Sequence, residues 1–303
     1  MYTVKNKTGL GGKSLLPESV YFKGFRPAVI DIETTGLSPG RDFIYLIGVL
    51  TEEEGEGVIT QFLAENRSDE KALLQAFEAF ISDYDLLLNY NGRAFDIPFI
   101  NKRAKKHGTG LDLDTRLSLD YLRIFRESYI KEMLPDLKLK TVEKLAGVFR
   151  NDVFSGKECI DLYKKFSAKG DRTAGRQVLL HNYEDLSCFP DLNTLIDRID
   201  FHKALAASGF PVRGGDAFFF VSDAKLRGET INASGTVSGL SEPVEIYEAD
   251  YSLRAEAPDG YFSLSIDYLS VTGGSIHDGS TGEITASVIN EAVLETLQNR
   301  VKL

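Results

Sequence analysis

The chain has 303 residues, enough for about two domains. Apolar residues make up 43% and charged residues 26%, a balance that excludes a mainly disordered chain. No run approaches the ~18 apolar residues that a membrane span needs, and the first residues lack the apolar core of a signal peptide, so we expect no membrane contact. Cys159 and Cys188 match neither a zinc spacing nor a disulfide framework, which favours a reducing compartment such as the cytoplasm.

The formal net charge of −10 at first argues against a nucleic-acid partner, because phosphate contacts need local positive charge. The charge is unevenly distributed. Residues 201–303 hold 7 basic and 14 acidic side chains, whereas the first 200 residues hold 28 and 31. We therefore expect the last third of the chain to be the part least suited to holding a nucleic-acid strand.

The first two thirds alternate between strand and helix patterns. Residues 1–26 have weak patterning and are interpreted as an N-terminal extension. Strand patterns cover 27–33, 43–50, 58–63 and 85–90, and helical patterns cover 71–81, a segment from about 97, and much of 117–206. Three strands in a meander followed by strand–helix units predict a mixed α/β sheet with flanking helices over residues 27–208.

The pattern changes at the Gly/Pro-rich segment 208–215, which we interpret as a domain boundary. Beyond it, strand patterns dominate, including a hairpin around Pro258-Asp-Gly260, and a helical pattern closes the chain over 288–301. These features predict a small antiparallel β domain over 209–303, either a barrel or a sandwich. Its Gly/Ser-rich turn with His277 and Asp278 is interpreted as a loop, and its expected role is structural or a protein contact.

Asp31 and Glu33 form the first informative pair, because residues two apart in a strand point to the same face. Carboxylates so close repel and raise each other's pKa unless a cation lies between them. A hard divalent ion such as Mg²⁺ or Mn²⁺ suits oxygen ligands of this kind. The plainer alternative is that the pair only marks the end of a strand, with Glu33 in solvent.

Asp96, Asp185 and His181 are further candidates. Asp96 follows the fourth predicted strand, but Asp before Ile-Pro also fits a helix N-cap. His181 and Asp185 share one helix face at i, i+4 spacing, and the alternative for both is a solvated helix surface.

Three short motifs, taken in chain order, resemble those of the DEDD 3′–5′ exonuclease superfamily: Asp31-Ile-Glu33, Asn91-Gly-Arg-Ala-Phe-Asp96 and His181-Asn-Tyr-Glu-Asp185. More narrowly, the chain resembles the YprB-like branch, with similar connecting segments over 137–147 and 155–163. The resemblance spans roughly residues 27–200 and does not reach the last third. It implies a ribonuclease H-like fold.

The resemblance also implies that two divalent metal ions, Mg²⁺ or Mn²⁺, are held by four carboxylates. Asp31 would bridge both ions, Glu33 and Asp185 would complete one site, and Asp96 would serve the other. The implied reaction is hydrolysis of the terminal phosphodiester, which releases nucleoside 5′-monophosphates from a 3′ end.

His181 would orient or deprotonate the attacking water, since an unperturbed histidine titrates near pH ~6.5. Here the third motif departs from the family, because His181 has the identity of the histidine subclass and the spacing of the tyrosine subclass. Tyr183 is no substitute, since it lies about 200° around a helix from Asp185. The water-activating group therefore stays open.

In the family, the segment after the first motif contacts the terminal nucleotide, and the matching positions here are Thr34, Gly36 and Leu37. Asn91 would hold either the terminal base or the geometry of its own loop. Basic and aromatic residues predict contacts with single-stranded nucleic acid that has a free 3′ end. The alternative is that these residues only line solvated helix faces. They are Arg93, Lys102, Arg103, Lys105, Lys106, His107, Tyr121, Arg123, Phe125, Arg126, Tyr129, Lys138, Lys140 and Lys144. The choice between DNA and RNA stays open.

The sequence therefore predicts a metal-dependent 3′–5′ exonuclease. Two alternatives remain: a non-catalytic module that binds nucleic-acid ends, and a phosphodiesterase acting on small nucleotides. The retention of all four acidic residues disfavours the first, and the acidic overall charge slightly favours the second.

Overall fold

The computed structural model describes residues 1–151, 153–272 and 286–303, so His277 and Asp278 lie outside the described residues. Contacts within the chain group it into two units, and the expected division at residues 26 and 208 stays a prediction. The first unit comprises Met1–Glu18, Phe25–Leu122 and Ile130–Arg198, and the second comprises Ser19–Gly24, Arg123–Tyr129 and Ile199–Leu303.

The first unit contains a six-stranded mixed sheet with the strand order β1-β4-β3-β2-β5-β6. Strands β2, β3 and β4 form the predicted antiparallel meander, while β5 and β6 continue the sheet parallel to β2. The strands are β1 (Tyr2–Thr8), β2 (Pro27–Thr34), β3 (Ile44–Glu53), β4 (Glu56–Leu63), β5 (Leu86–Asn89) and β6 (Leu117–Asp120).

Two of these strands differ from the sequence-based expectation. The weakly patterned N-terminal segment forms the edge strand β1, whose mostly exposed residues pair with β4. The four-residue strand β6 interrupts a stretch in which helical patterns were expected to dominate. Both were missed because an exposed edge strand needs little apolar alternation, and a four-residue strand buried on both faces has no period to detect.

Helices cover both faces of the mixed sheet. One core joins β2–β4 to α1 and α2, and a second core joins β3 and β4 to α6 and α7. The helices up to the end of the first unit are α1 (Glu70–Ile81), α2 (Asp96–His107), α3 (Tyr121–Arg126), α4 (Ile130–Met133), α5 (Leu139–Leu145), α6 (Gly156–Lys169), α7 (Arg172–Ser187) and α8 (Phe189–Ile196).

The alternation along β2 decides which residues face which core. Ile30 and Ile32 belong to the core with α1 and α2. Asp31 and Glu33 therefore project to the opposite face, where α7 packs on β2, β3 and β4. Helix α7 begins where Asp171 caps it by accepting hydrogen bonds from the N–H groups of Thr173 and Ala174.

The second unit contains an all-antiparallel sheet with the order β10-β11-β12-β9-β8-β7. The predicted hairpin is confirmed as β11 and β12. The elements are α9 (Phe201–Ser208), β7 (Phe210–Gly214), β8 (Ala217–Arg227), β9 (Thr230–Ser238), β10 (Val244–Tyr247), β11 (Tyr251–Ala255), β12 (Gly260–Asp267), α10 (Tyr268–Thr272), α11 (Ala286–Glu295) and a π-helical turn, Thr296–Arg300.

The expectation of a closed barrel or a sandwich was wrong for the described residues, whose strands form one open sheet. Helices α9 and α11 contact β8 and each other, so helices supply the layer that a second sheet would otherwise provide. Strand patterns alone cannot distinguish these arrangements, because one apolar face per strand suits either kind of cover. Within the described parts of the chain, no helix has the length and apolarity required to cross a lipid bilayer.

Candidate metal centre

Asp31 lies on β2 and is oriented by a neighbouring amide. The Nδ2 of Asn182, on α7, donates to Asp31 Oδ2 at 2.8 Å. The Oδ1 of the same amide accepts from Gln61 Nε2 of β4, also at 2.8 Å, and Gln61 Nε2 lies 2.8 Å from the Leu179 carbonyl oxygen. A series of polar contacts therefore joins β4, α7 and the Asp31 carboxylate.

Gly48 allows this close approach of α7. It pairs with Asp31 across β2 and β3, and a Cβ at this position would overlap the Asn182 side chain. Glycine is therefore required here by the proximity of a helix rather than by a turn.

Glu33 is buried on the same face of β2. Its Oε2 accepts a 3.3 Å hydrogen bond from the Tyr45 hydroxyl, and the Tyr45 ring stacks on Tyr163 with centroids 4.1 Å apart. The alternative in which Glu33 extends into solvent was wrong.

Asp96 is the first residue of α2 and is buried. Its Oδ1 accepts from the backbone N–H of Ile32 at 3.1 Å, which ties the start of α2 to β2 between Asp31 and Glu33. The N-cap position belongs to Phe95, so the helix-cap interpretation of Asp96 was wrong.

His181 and Asp185 project from one face of α7 toward β2. His181 Nε2 lies 3.5 Å from Glu33 Oε1 and 3.6 Å from Asp185 Oδ2. Ligand atoms of Glu33, His181 and Asp185 all lie within 4.8 Å of one another, a spacing that one cation could bridge. His181 is buried, so the alternative of a histidine on a solvated surface was wrong.

Arg150 holds the other oxygen of Asp185. Its Nη1 lies 2.5 Å from Asp185 Oδ1, while Nε and Nη2 donate to the two carboxylate oxygens of Glu143. Burial alone would lower the pKa of Arg150, but the two carboxylates raise it above its usual value. Asp185 is thereby fixed with Oδ2 on the side of His181.

Burial makes the ionised forms of the carboxylates costly. It raises the pKa of Glu33 to about 7 and that of Asp96 to about 7, and the pKa of Asp31 lies well above its usual range. Repulsion from Asp185, Asp96 and Glu33 adds to the effect of burial at Asp31. Hard oxygen donors that repel one another in a site shielded from water fit a divalent cation.

The segment after β2 forms a tight turn. The Thr34 hydroxyl donates to the Gly36 carbonyl oxygen at 2.7 Å, and a Cβ at Gly36 would lie 2.6 Å from the Asp42 carboxylate. Leu37 is 85% exposed. Of the three predicted contact positions here, Leu37 thus offers a free apolar side chain, whereas Thr34 and Gly36 maintain the turn.

Asn91 adopts a left-handed backbone conformation with φ 67°, which asparagine tolerates better than most residues. Its N–H donates to Asp120 Oδ1 at 2.8 Å, and its carbonyl accepts from Ala94 and Phe95 at the start of α2. This geometry favours the loop-shaping alternative for Asn91.

Several predicted nucleic-acid contacts lie in the interior. Arg103 is buried and pairs with the buried Glu70, which also accepts from His107. Tyr121 and Phe125 are fully buried, so neither ring is available to a base. Lys102, Lys105 and Lys106 do lie on the exposed face of α2.

Other residues of the site had little or no sequence signal. Asn182 adjoins His181 inside the third motif and could have been considered. Gly48, Arg150 and Asp120 come from segments without a motif, and β6, which carries Asp120, was itself missed.

The sequence matches the RNase_H_2 family of the RNase H superfamily over residues 28–196, and the chain belongs to this superfamily. The predicted ribonuclease H-like fold is thereby confirmed, and the order and direction of the strands in the mixed sheet agree with it.

Similar proteins include DNA polymerases. The DNA polymerase of Archaeoglobus fulgidus is 27% identical over 43% of this chain and 17% of its own length. DNA polymerase 2 of Aeropyrum pernix is 29% identical over 41% of this chain and 17% of its own length, so the match covers only a small part of either relative. Among solved structures, the family B DNA polymerase from Pyrobaculum calidifontis aligns with a TM-score of 0.47 and 19% identity, over 64% of this chain and 28% of that chain.

Proposed function

We propose that this chain is a metal-dependent 3′–5′ exonuclease that hydrolyses single-stranded DNA or RNA and releases nucleoside 5′-monophosphates. The observation that carries the proposal is the cluster of Asp31, Glu33, Asp96, Asp185 and His181, of which Glu33, Asp96 and His181 are buried and the other two are partly buried. Membership of the RNase H superfamily supports a nuclease, and the names of the related DNA polymerases support a nucleic-acid substrate.

The four carboxylates would hold two divalent ions, Mg²⁺ or Mn²⁺. When bound, these ions would lower the pKa of a water molecule and stabilise the charge on the departing 3′ oxygen. Asp31 is held by Asn182, and Asp185 is held on one side by Arg150. Both carboxylates thus have preset orientations, which reduces the reorganisation needed on binding.

His181 would orient the attacking water or take its proton. It lies against Glu33 and Asp185, so it would meet a water held by these residues. Taking the proton requires a neutral imidazole, because only an unprotonated ring nitrogen can accept it.

The decisive experiment is incubation with single-stranded DNA and RNA labelled at the 5′ end, with a free or blocked 3′ end, in Mg²⁺, Mn²⁺ or EDTA. We expect a ladder of shortened labelled products with free 3′ ends only, and none in EDTA. Metal-dependent binding without shortening would instead indicate an end-binding module. Cleavage restricted to dinucleotides would indicate a small-nucleotide phosphodiesterase.

Asp96→Asn provides the matched negative control, because an amide oxygen can still accept from Ile32 N–H while the charge is lost. Asp161→Asn removes an exposed acid on α6 whose partner is Lys164 and should retain full activity. Equal activity of both variants would contradict the assignment of the site.

A further inference from the structure

Residues 147–151 form a loop that follows α5 and leads toward α6. We call it the tethered loop because two of its residues contact α7. Arg150 contacts Asp185 at 2.5 Å, and the backbone N–H of Asn151 donates to Glu184 Oε1 at 2.9 Å. Two consecutive acidic residues of α7 therefore hold two consecutive residues of the loop. Glu143, at the end of α5, holds Arg150 from the other side.

Phe149 directly precedes this double attachment and is 80% exposed. An isolated exposed apolar residue is ordinary on a protein surface. Phe149 differs because its neighbour is fixed to a carboxylate of the candidate metal centre. From the 3.8 Å spacing of Cα atoms and an arginine reach of about 7 Å, the Cα of Phe149 lies within about 13 Å of Asp185 Oδ1.

The charges around the tethered loop favour a base over a phosphate as its contact. Arg150 is shared by Glu143 and Asp185, and Glu184 lies beside them, so the negative charges exceed the positive charge. Arg150 is already engaged by both carboxylates and so offers little to a phosphate, whereas the uncharged face of a base would stack on the Phe149 ring whatever the base identity.

We propose that Phe149 is a stacking platform for an unpaired base of the strand under hydrolysis, and that Arg150 is a positioning residue that fixes this platform relative to Asp185. The proposal rests on the proposed exonuclease function and specifies its substrate as a strand with an unpaired base near the site. Stacking on one exposed ring favours single strands over duplex ends, because a paired base already stacks on its neighbours.

The absence of tryptophan from the sequence allows a direct test. Phe149→Trp, combined with Asp96→Asn to prevent hydrolysis, places a unique fluorophore on the tethered loop. We expect saturable quenching of its emission by a single-stranded oligothymidine, and weaker quenching by a blunt duplex. Tyr261→Trp in the same background is the control, since Tyr261 is 70% exposed on β12. The proposal is overturned if fluorescence anisotropy shows that a labelled oligothymidine binds the protein, yet the emission of the tryptophan at position 149 does not change.

Kinetics on the otherwise unaltered enzyme provide a second test. Phe149→Ala should raise KM for single strands by about 5- to 150-fold, the range implied by alanine substitution of stacking residues, while kcat changes much less. Phe149→Tyr should restore KM, and Phe149→Leu should not. If leucine restores KM as well as tyrosine does, the contact is simple apolar packing and the stacking proposal is wrong.

Different outcomes of these experiments would contradict the stacking proposal and the exonuclease proposal. If the unaltered protein hydrolyses strands but the Phe149 variants behave like it, only the stacking proposal is lost. If the unaltered protein hydrolyses nothing while the tryptophan at position 149 is still quenched, the exonuclease proposal is lost and the base contact stands.

Discussion

The two units differ in what they bury. Each has a six-stranded sheet with helices packed on it, yet every buried acidic, basic or histidine side chain among the described residues belongs to the first unit. The buried polar residues of the second unit are Ser208, Asn290 and Thr296, all uncharged. Because burying charge is costly, the contrast favours the first unit over the second as the location of the candidate metal centre.

The two units also differ in where the acidic residues behind the net charge lie. Among the described residues of the last third of the chain, the acidic side chains lie largely on exposed positions, as at Glu245, Glu248 and Asp267, where water screens them. The acids proposed to take part in the reaction are fewer and lie in the first unit, and burial raises the pKa values of three of them, Asp31, Glu33 and Asp96. Net charge alone therefore says little about where a nucleic acid would bind.

Asp31→Ala is the substitution expected to have the largest effect on the candidate site in the first unit. This change removes the carboxylate proposed to bridge both metal ions, so cleavage should fall by about 10³-fold or more, together with the metal-dependent rise in melting temperature. Gel assays of cleavage and thermal denaturation with and without Mn²⁺ measure the two effects. Full activity of this variant would remove the two-metal interpretation.

His181→Ala should lower the cleavage rate by about 10²-fold while leaving metal binding in place. The reason is that the imidazole is proposed to act on water rather than to hold a metal ion. Calorimetric titration with Mn²⁺ distinguishes the two roles. Loss of Mn²⁺ affinity in parallel with rate would instead make His181 a ligand, which its 3.5 Å approach to Glu33 also allows.

Gly48→Ala should destabilise the first unit by about 1–3 kcal/mol, because a methyl group would displace Asn182 from Asp31. Urea unfolding measures the loss, and cleavage should fall more than stability alone requires. Gly228→Ala in the second unit has open space and a φ of 62°, so it tests backbone strain without the clash. Equal effects on cleavage would show that the approach of α7 is unimportant.

The response to metal should depend on pH. The pKa values of Glu33 and Asp96 are about 7 in the folded protein, above their values of about 4 in an unfolded chain. In the metal-free protein, protonation of these two carboxylates therefore contributes stability that is fully present below about pH 4. This contribution is lost as pH rises through 7. Metal binds the ionised carboxylates. The rise in melting temperature caused by Mn²⁺ should therefore be small at pH 5.5 and grow through pH 8, whereas a constant rise would contradict the pKa values.

The smallest effect is expected in the second unit. Arg254→Ala and Lys225→Ala remove exposed basic side chains from its sheet, whose local partners are Glu245 and Asp223. Because we expect this unit not to hold the strand, KM and kcat should change by less than about twofold, as for ordinary exposed ion pairs. A large rise in KM would show that the antiparallel sheet binds nucleic acid.

Local periodicity by itself determined much of the first unit. The meander, α1, α2 and the shared faces of Asp31 with Glu33 and of His181 with Asp185 follow from spacings of two and about 3.6 residues, which operate within one element. Motif order then indicated that these elements come together. Neither argument required knowledge of distant contacts.

Only the tertiary structure decided the surroundings of those residues. The pairing of Arg150 with Asp185, the space that Gly48 leaves for Asn182 and the burial of Arg103 beside Glu70 each join segments far apart in the chain. Such contacts depend on how helices pack on the sheet, and a single sequence carries no periodic signal for them. The cover of the second sheet was decided in the same way, since an apolar strand face is satisfied equally by helices or by another sheet.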